Sequence, residues 1–433
     1  MRKATLSKRI SAIIMAAVTL LAVTACGAGG QSKDDGKTEG ALGTEPVTLT
    51  FWNGFTGADG EVLKKIVDDF NATNEKKITI EMDIMPWANF NEMLPPAISS
   101  DTAPDFALMM DKDMPQYVKN GALRPMDDFW EFEGVDKSDF NESSIKMGIL
   151  DGTQYAIPMQ VQSFYLYWNK DIFEAAGLDP EQPPTTWDEL AEIAPQLADP
   201  ANNVSGFLVP DNIGNVLFSW ILSNGGTVLN EDYTESTINS PENLEVLTTI
   251  QNIVLEQGGP TVISNPEIFN LLYAGQLGMA VAPPFVVSGL QTNEINFGVA
   301  PIPQKAESDE KVAVAEAVSF VVPETTDDSK INAIYEFVSY WNSTEIAKRW
   351  ALEAGFPPYL KSAVEDPEVM ENAIITEMAG QLDYAELYLP GFDQRGALES
   401  DVICPMIERL MQGEDPEALL EEADTSIQNM LDN

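Results

Sequence analysis

The chain has no histidine among its 433 residues and only two cysteines, Cys26 and Cys404. A Ser-His-Asp triad, a Cys-His pair, an HExxH zinc site and a facial triad of two histidines and a carboxylate are therefore impossible. What remains able to do chemistry is a set of flat rings and planar polar groups at the ends of apparent strands and helices. Trp52 stands beside Asn53, with Asp59 a few residues on, and Pro86 fixes the direction of Trp87. Asp111 ends an apolar run, and Trp220 and Asn224 lie four apart, on one side of a helix or at its end. Gln160 and Gln162, two apart, share a strand face. Phe285 follows Pro283-Pro284, Phe356 precedes Pro357-Pro358, and Tyr384, Tyr388 and Arg395 share a late loop. Ring faces cover C–H patches, while Asp, Asn, Gln and Arg satisfy several hydroxyls at once, so the set suits a polyhydroxylated molecule held without covalent chemistry. A single Trp in such a chain is also a core residue, and Trp130, Trp187, Trp341 and Trp350 are expected to be structural. The 69 acidic residues leave room for a pair of catalytic carboxylates, as a glycoside hydrolase would use, but no acid pair stands in a recognisable motif.

The elements that must position these residues alternate. Val47–Trp52 reads as a strand, followed by the polar, glycine-rich loop 53–60 and a helix with Val62, Ile66, Val67 and Phe70 on one face. Residues 78–84 and 104–111 read as further strands, and a helix from Asn89 is expected to break at Pro95-Pro96. Strands in alternation with helices imply a wound sheet, whose ligands bind beyond the strand carboxyl ends. That places Trp52-Asn53, Pro86-Trp87 and Met110-Asp111 around one crevice. Further on, Tyr155–Pro158 and Val161–Trp168 read as strands. Asp171 can cap a short helix that stops at Gly177, and Thr186 with Glu189 has the spacing of a capping box.

Residues 150–190 carry a resemblance. Tyr155, Pro158, Tyr167 (or Trp168), Asn169, Lys170, Phe173, Gly177 and Leu178, then Pro184, Thr186, Trp187, Glu189 and Leu190, follow an ordered wording. It resembles the extracellular solute-binding proteins of carbohydrate ABC importers, maltose-binding-protein-like. Residues 269–285 and 297–303 are similar to the family's later motifs, with Phe285 where a tryptophan is common. The resemblance implies an α/β, two-lobed periplasmic-binding-protein fold of type II, each lobe a central sheet flanked by helices, joined by crossing hinge segments. On it we expect residues 46–160 with 312–349 to form lobe 1, and 161–311 with 350–433 to form lobe 2. It implies a carbohydrate ligand, an oligosaccharide, delivered to ABC permease subunits by a monomer without cofactor, metal or enzymatic activity. It also implies that Gln162 on the hinge strand faces the ligand. In relatives that bind glycerol 3-phosphate an arginine near Arg395 grips the phosphate, so that ligand is the alternative.

Composition fits an exported protein. Net charge is −45 with only 24 lysines and arginines, which disfavours nucleic acid and anionic lipid surfaces. Arg2, Lys3, Lys8 and Arg9 precede an apolar run from Ile10 to Val23, too short for a comfortable membrane span. Residues 1–25 read as a signal peptide, and Val23-Thr24-Ala25-Cys26 resembles a bacterial lipoprotein box, with Cys26 the lipidated residue. Glycine-rich residues 27–45 read as a flexible tether. The expected location is the outer face of a bacterial, Gram-positive cell membrane, held by the lipid alone.

Overall fold

Among the described residues of a computed structural model, twelve strands, β1 (Val47–Asn53), β2 (Ile78–Ile84), β3 (Phe106–Met110), β4 (Ile149–Leu150), β5 (Thr153–Gln154), β6 (Ala156–Ser163), β7 (Tyr165–Asn169), β8 (Ser205–Leu208), β9 (Leu277–Ala282), β10 (Phe297–Pro301), β11 (Ala313–Val321) and β12 (Ala385–Leu387), are interspersed with helices. It describes residues 45–209, 214–261, 264–306 and 311–432. The expected signal peptide, Cys26 and nearly all of the expected tether lie outside the described residues. In one sheet the order is β12-β11-β3-β1-β2, with β6 on the other side of β11; in the second it is β10-β7-β9-β8.

The first sheet is built on β1, whose alternation buries Leu49, Phe51 and Asn53. Parallel β2 and β3 flank it. Helix Ala58–Thr73 turns Val62, Leu63, Ile66, Val67 and Phe70 inward, and Phe51 stacks on Phe106 at 4.4 Å. In the second sheet every residue of β7 is buried, as expected of a central strand covered on both faces. Mixed strands and flanking helices make this an α/β, two-lobed fold.

The two crossing strands explain how one lobe meets the other. In β6, Ile157 and Met159 pack into the first core and Val161 into the second. In β11, Val318 and Phe320 join the first core, while Ala313 to Ala315 and Ala317 join the second. The β6–β11 register slips between Val318 and Ser319, opposite Gln160 and Pro158. A bulge at that point bends and twists the ribbon where it passes between cores.

Several local expectations change. Trp350 and Phe356, assigned to lobe 2 from sequence, stack at 5.6 Å inside the first core, because helix Thr344–Ala354 carries Trp350 onto Trp341 and Phe55. Helix Trp87–Ser99 runs through Pro95 and Pro96 without a break, and the freed end is held by Ser99 and Ser100 hydroxyls donating to the Pro95 and Pro96 carbonyls. The cap of helix Lys170–Ala176 is Asn169, whose Oδ1 accepts from the Asp171 and Ile172 amides, not Asp171. The helix does stop at Gly177, with φ 78°. Thr186 and Glu189 form the capping box.

Candidate ligand-binding cleft

A cavity of about 730 Å³ lies over the crossing strands, within the range of about 300–1,000 Å³ typical of small-molecule sites. Its walls come from both sides: loop 54–59, Trp87 and Phe356 from the first core, and Asn215, Tyr273 and Phe285 from the second. Gln160, Gln162, Glu316 and Val318 of the crossing strands form the floor, with Lys112 and Glu399 at its edge.

Six of the residues read from sequence line this space: Asp59, Trp87, Gln160, Gln162, Phe285 and Phe356. Trp87 lies flat against Gly54, where an added Cβ would come within 2.0 Å of the ring, and meets Phe55 and Phe90 edge-on at 5.8 and 5.4 Å. Asp59 accepts from the Gly60 amide at 2.8 Å, and burial raises its pKa despite that bond. Phe285, 38 % exposed, presents its ring across the cavity, braced edge-on by Phe269.

The other eight stand elsewhere, Tyr388 in the second core with its hydroxyl accepting from the Val228 amide at 2.9 Å. Trp52 is half-buried behind the wall, in the cluster around Phe90 and Met109. Asn53 is fully buried, and its Oδ1 accepts from the Phe55 amide at 3.1 Å, which shapes the loop. Trp220 is a core residue, stacked on Trp187 at 5.2 Å. Asn224 donates to the Glu242 carbonyl and to Glu245 at a helix end. Tyr384 packs at the edge of the second core, beneath Lys311. Asp111 and Arg395 lie below the floor.

That lower layer is an ordered polar chain. The Arg395 guanidinium donates to Asp111 at 2.7 Å, to Glu399 at 3.1 Å and to Asn215 Oδ1 at 3.0 Å. Asn215 must then turn its amide nitrogen to Glu316, and does so. Gln162 Nε2 donates to the other Glu316 oxygen at 3.0 Å, and Gln160 Nε2 to Gln162 Oε1 at 3.3 Å. Gln160 Oε1 is left without a donor. Asp111 also locks the end of β3 to β11: the two residues' backbones bond at 2.9 Å, and Asp111 Oδ1 accepts from the Ala317 amide. Burial pushes the Glu316 carboxyl up to about 7, and the Asp111 carboxylate pushes the same way. Burial opposes the Lys112 ammonium, but Glu399, Asp113 and Glu316 outweigh it and hold its pKa above the ordinary lysine value.

Sequence reasoning missed Phe55, Asn215, Tyr273, Glu316 and Glu399. Two of these had a signal. Glu316 is the lone charge in the apolar strand Ala313–Val321, and Glu399 is four residues after Arg395, the spacing of a helical ion pair. The Glu399–Ile403 turn is π-helical, a local widening common at functional sites.

Two lobes joined by crossing strands, with an aromatic and polar cleft over the crossing, define the architecture of a periplasmic-type binding protein. Residues 55–348 match the family described as bacterial extracellular solute-binding protein, and the chain belongs to that family. A binding protein of Brucella abortus (strain 2308) is 29% identical over 267 residues, 59% of this chain and 62% of that protein, so the chain spans under two thirds of that relative's length. The sn-glycerol-3-phosphate-binding periplasmic protein UgpB of the same organism is 26% identical over 359 residues, 76% of this chain and 78% of UgpB. Among solved structures, the Listeria monocytogenes ABC substrate-binding protein Lmo0181 in complex with cycloalternan superposes with TM-score 0.77 at 24% identity, over 89% of this chain and 99% of that one.

Proposed function

We propose that this protein is the binding component of a carbohydrate ABC importer, anchored outside the cell through lipidated Cys26, and that it captures an oligosaccharide between its lobes for delivery to the permease. The observation that carries the reading is a 730 Å³ cleft with rings on facing walls, Trp87 and Phe356 on one side and Tyr273 and Phe285 on the other, over a floor of amides and carboxylates. Rings on both walls suit a ligand with more than one sugar face, and contacts to both lobes favour the closed state in which the protein docks. The cycloalternan complex of Lmo0181 supports a ligand of several rings. Nothing in the role calls for turnover, a cofactor or a metal, and the protein acts as a monomer.

The extent of the UgpB match favours a second reading, glycerol 3-phosphate. The cleft's charge weighs against it. Among the described residues lining the cavity, Lys112 is the one cation, and it already faces Glu399 at 3.4 Å. Arg395 is 2% exposed and spends its donors on Asp111, Glu399 and Asn215. A phosphate dianion would meet Asp59, Glu316 and Glu399 with no free guanidinium or ammonium.

The test is a thermal-shift screen of di- to tetrasaccharides, monosaccharides and glycerol 3-phosphate. A true ligand raises the melting temperature with its concentration over its affinity. An oligosaccharide hit, with the sugar recovered intact, supports the reading. A shift from glycerol 3-phosphate alone transfers the assignment to the second reading, and cleavage of the sugar would make the protein a glycoside hydrolase.

A further inference from the structure

The cleft is short of positive charge. Asp59, Glu316 and Glu399 line it, and the one lining cation among the described residues, Lys112, is paired with Glu399. The Arg395–Asp111 pair beneath is internally neutral. Gln160, 2% exposed and on the same floor, has an Oε1 with no donor. The polar chain fixes this polarity: Arg395 orients Asn215, the Glu316 carboxylate draws the Gln162 amide nitrogen, and Gln162 Oε1 in turn takes the Gln160 nitrogen. Closing the lobes over a neutral sugar would strip water from Asp59 and Glu316 and return no charge. Burial raises the pKa of both groups, and at Glu316 the Asp111 carboxylate adds to it. Rings stand around the carboxylates, and the faces of Trp87 and Tyr273 attract a cation as well as C–H groups.

We infer that the ligand carries a protonated amine, an amino sugar within the carbohydrate class, and that its ammonium sits between the carboxylates of Asp59 and Glu316, beside the cleft's aromatic walls. The inference rests on the carbohydrate reading and narrows it. The ammonium neutralises what Lys112 does not.

Calorimetric titration of the purified protein tests this with matched sugars, at a pH where the amine holds its proton. Glucosamine, N-acetylglucosamine and glucose oligomers of one β linkage form one series, and maltotriose beside its primary-amine derivative forms the other. The amine-bearing member of a series should bind about tenfold or more tighter than its neutral counterpart. The advantage should shrink with added salt and in Glu316→Gln and Asp59→Asn, each checked for an intact melting transition. A neutral sugar that binds as tightly as its amine overturns the inference and leaves the carbohydrate reading standing. An amine advantage unchanged in both variants overturns the placement, and no binding in either series overturns the inference and the reading together.

Discussion

Replacing Arg395 by methionine should cost the fold about 3–5 kcal/mol, the usual penalty for removing one partner of a buried ion pair. The side chains of Arg395 and Asp111 are 2% and 4% exposed, and that of Glu399 is 8% exposed. Methionine fills much of the same volume, so the loss is electrostatic: two carboxylates remain, Asp111 below the floor and Glu399 at its edge, with only the half-buried Lys112 near Glu399 to answer them. Arg395→Lys should recover part of the loss, since an ammonium can face Asp111 but cannot also span Glu399 and Asn215 in one plane. The assay is urea denaturation followed by tryptophan fluorescence. Ligand affinity should fall as well, because Asn215 and Glu399 lose the group that orients them. An Arg395→Met protein with an unchanged midpoint and slope but no ligand binding would refute the reasoning and return Arg395 to the role of a direct ligand contact.

The Glu316 carboxyl titrates at about 7 in the folded protein, above an ordinary glutamate, so its contribution to stability is fully present below the unfolded value and is lost as pH rises through about 7. Glu316→Gln should therefore be the more stable protein at about pH 8, by up to about 3 kcal/mol, and the difference should close toward about pH 5; denaturation curves that coincide at every pH would contradict this. Trp220→Ala should cost about 3–5 kcal/mol from the core, with binding by the folded fraction unchanged. Phe285→Ala should leave the melting temperature nearly unchanged yet weaken sugar binding by about tenfold, measured by calorimetry. Gly54→Ala should displace the Trp87 ring and weaken binding without lowering the helix content seen by circular dichroism.

The wound first sheet was legible because its strands and helices keep their own periods: β1 alternates, and helix Ala58–Thr73 carries one apolar stripe. The capping box at Thr186 and the stop at Gly177 were legible for the same reason, since each is local chemistry. The site was less so. Trp87 and Phe285 stand where a proline turns a loop, which a sequence displays. Trp220 also comes just before a loop, at a helix end, yet its partner Trp187 lies 33 residues away, and only packing decides which Trp faces inward. Arg395, Asp111, Asn215 and Glu316 meet through contacts of 101 to 284 residues in separation, beyond any spacing rule. The lobe boundary failed at residue 350 because an amphipathic helix does not announce which core its stripe will enter.

Calorimetric titration of the protein and of Phe285→Ala with di- to tetrasaccharides and with glycerol 3-phosphate tests the central claim most directly. The account predicts a saturable one-to-one isotherm with at least one oligosaccharide, weakened in the variant, and no heat from glycerol 3-phosphate. Silence from every sugar with a clear isotherm for glycerol 3-phosphate would contradict it.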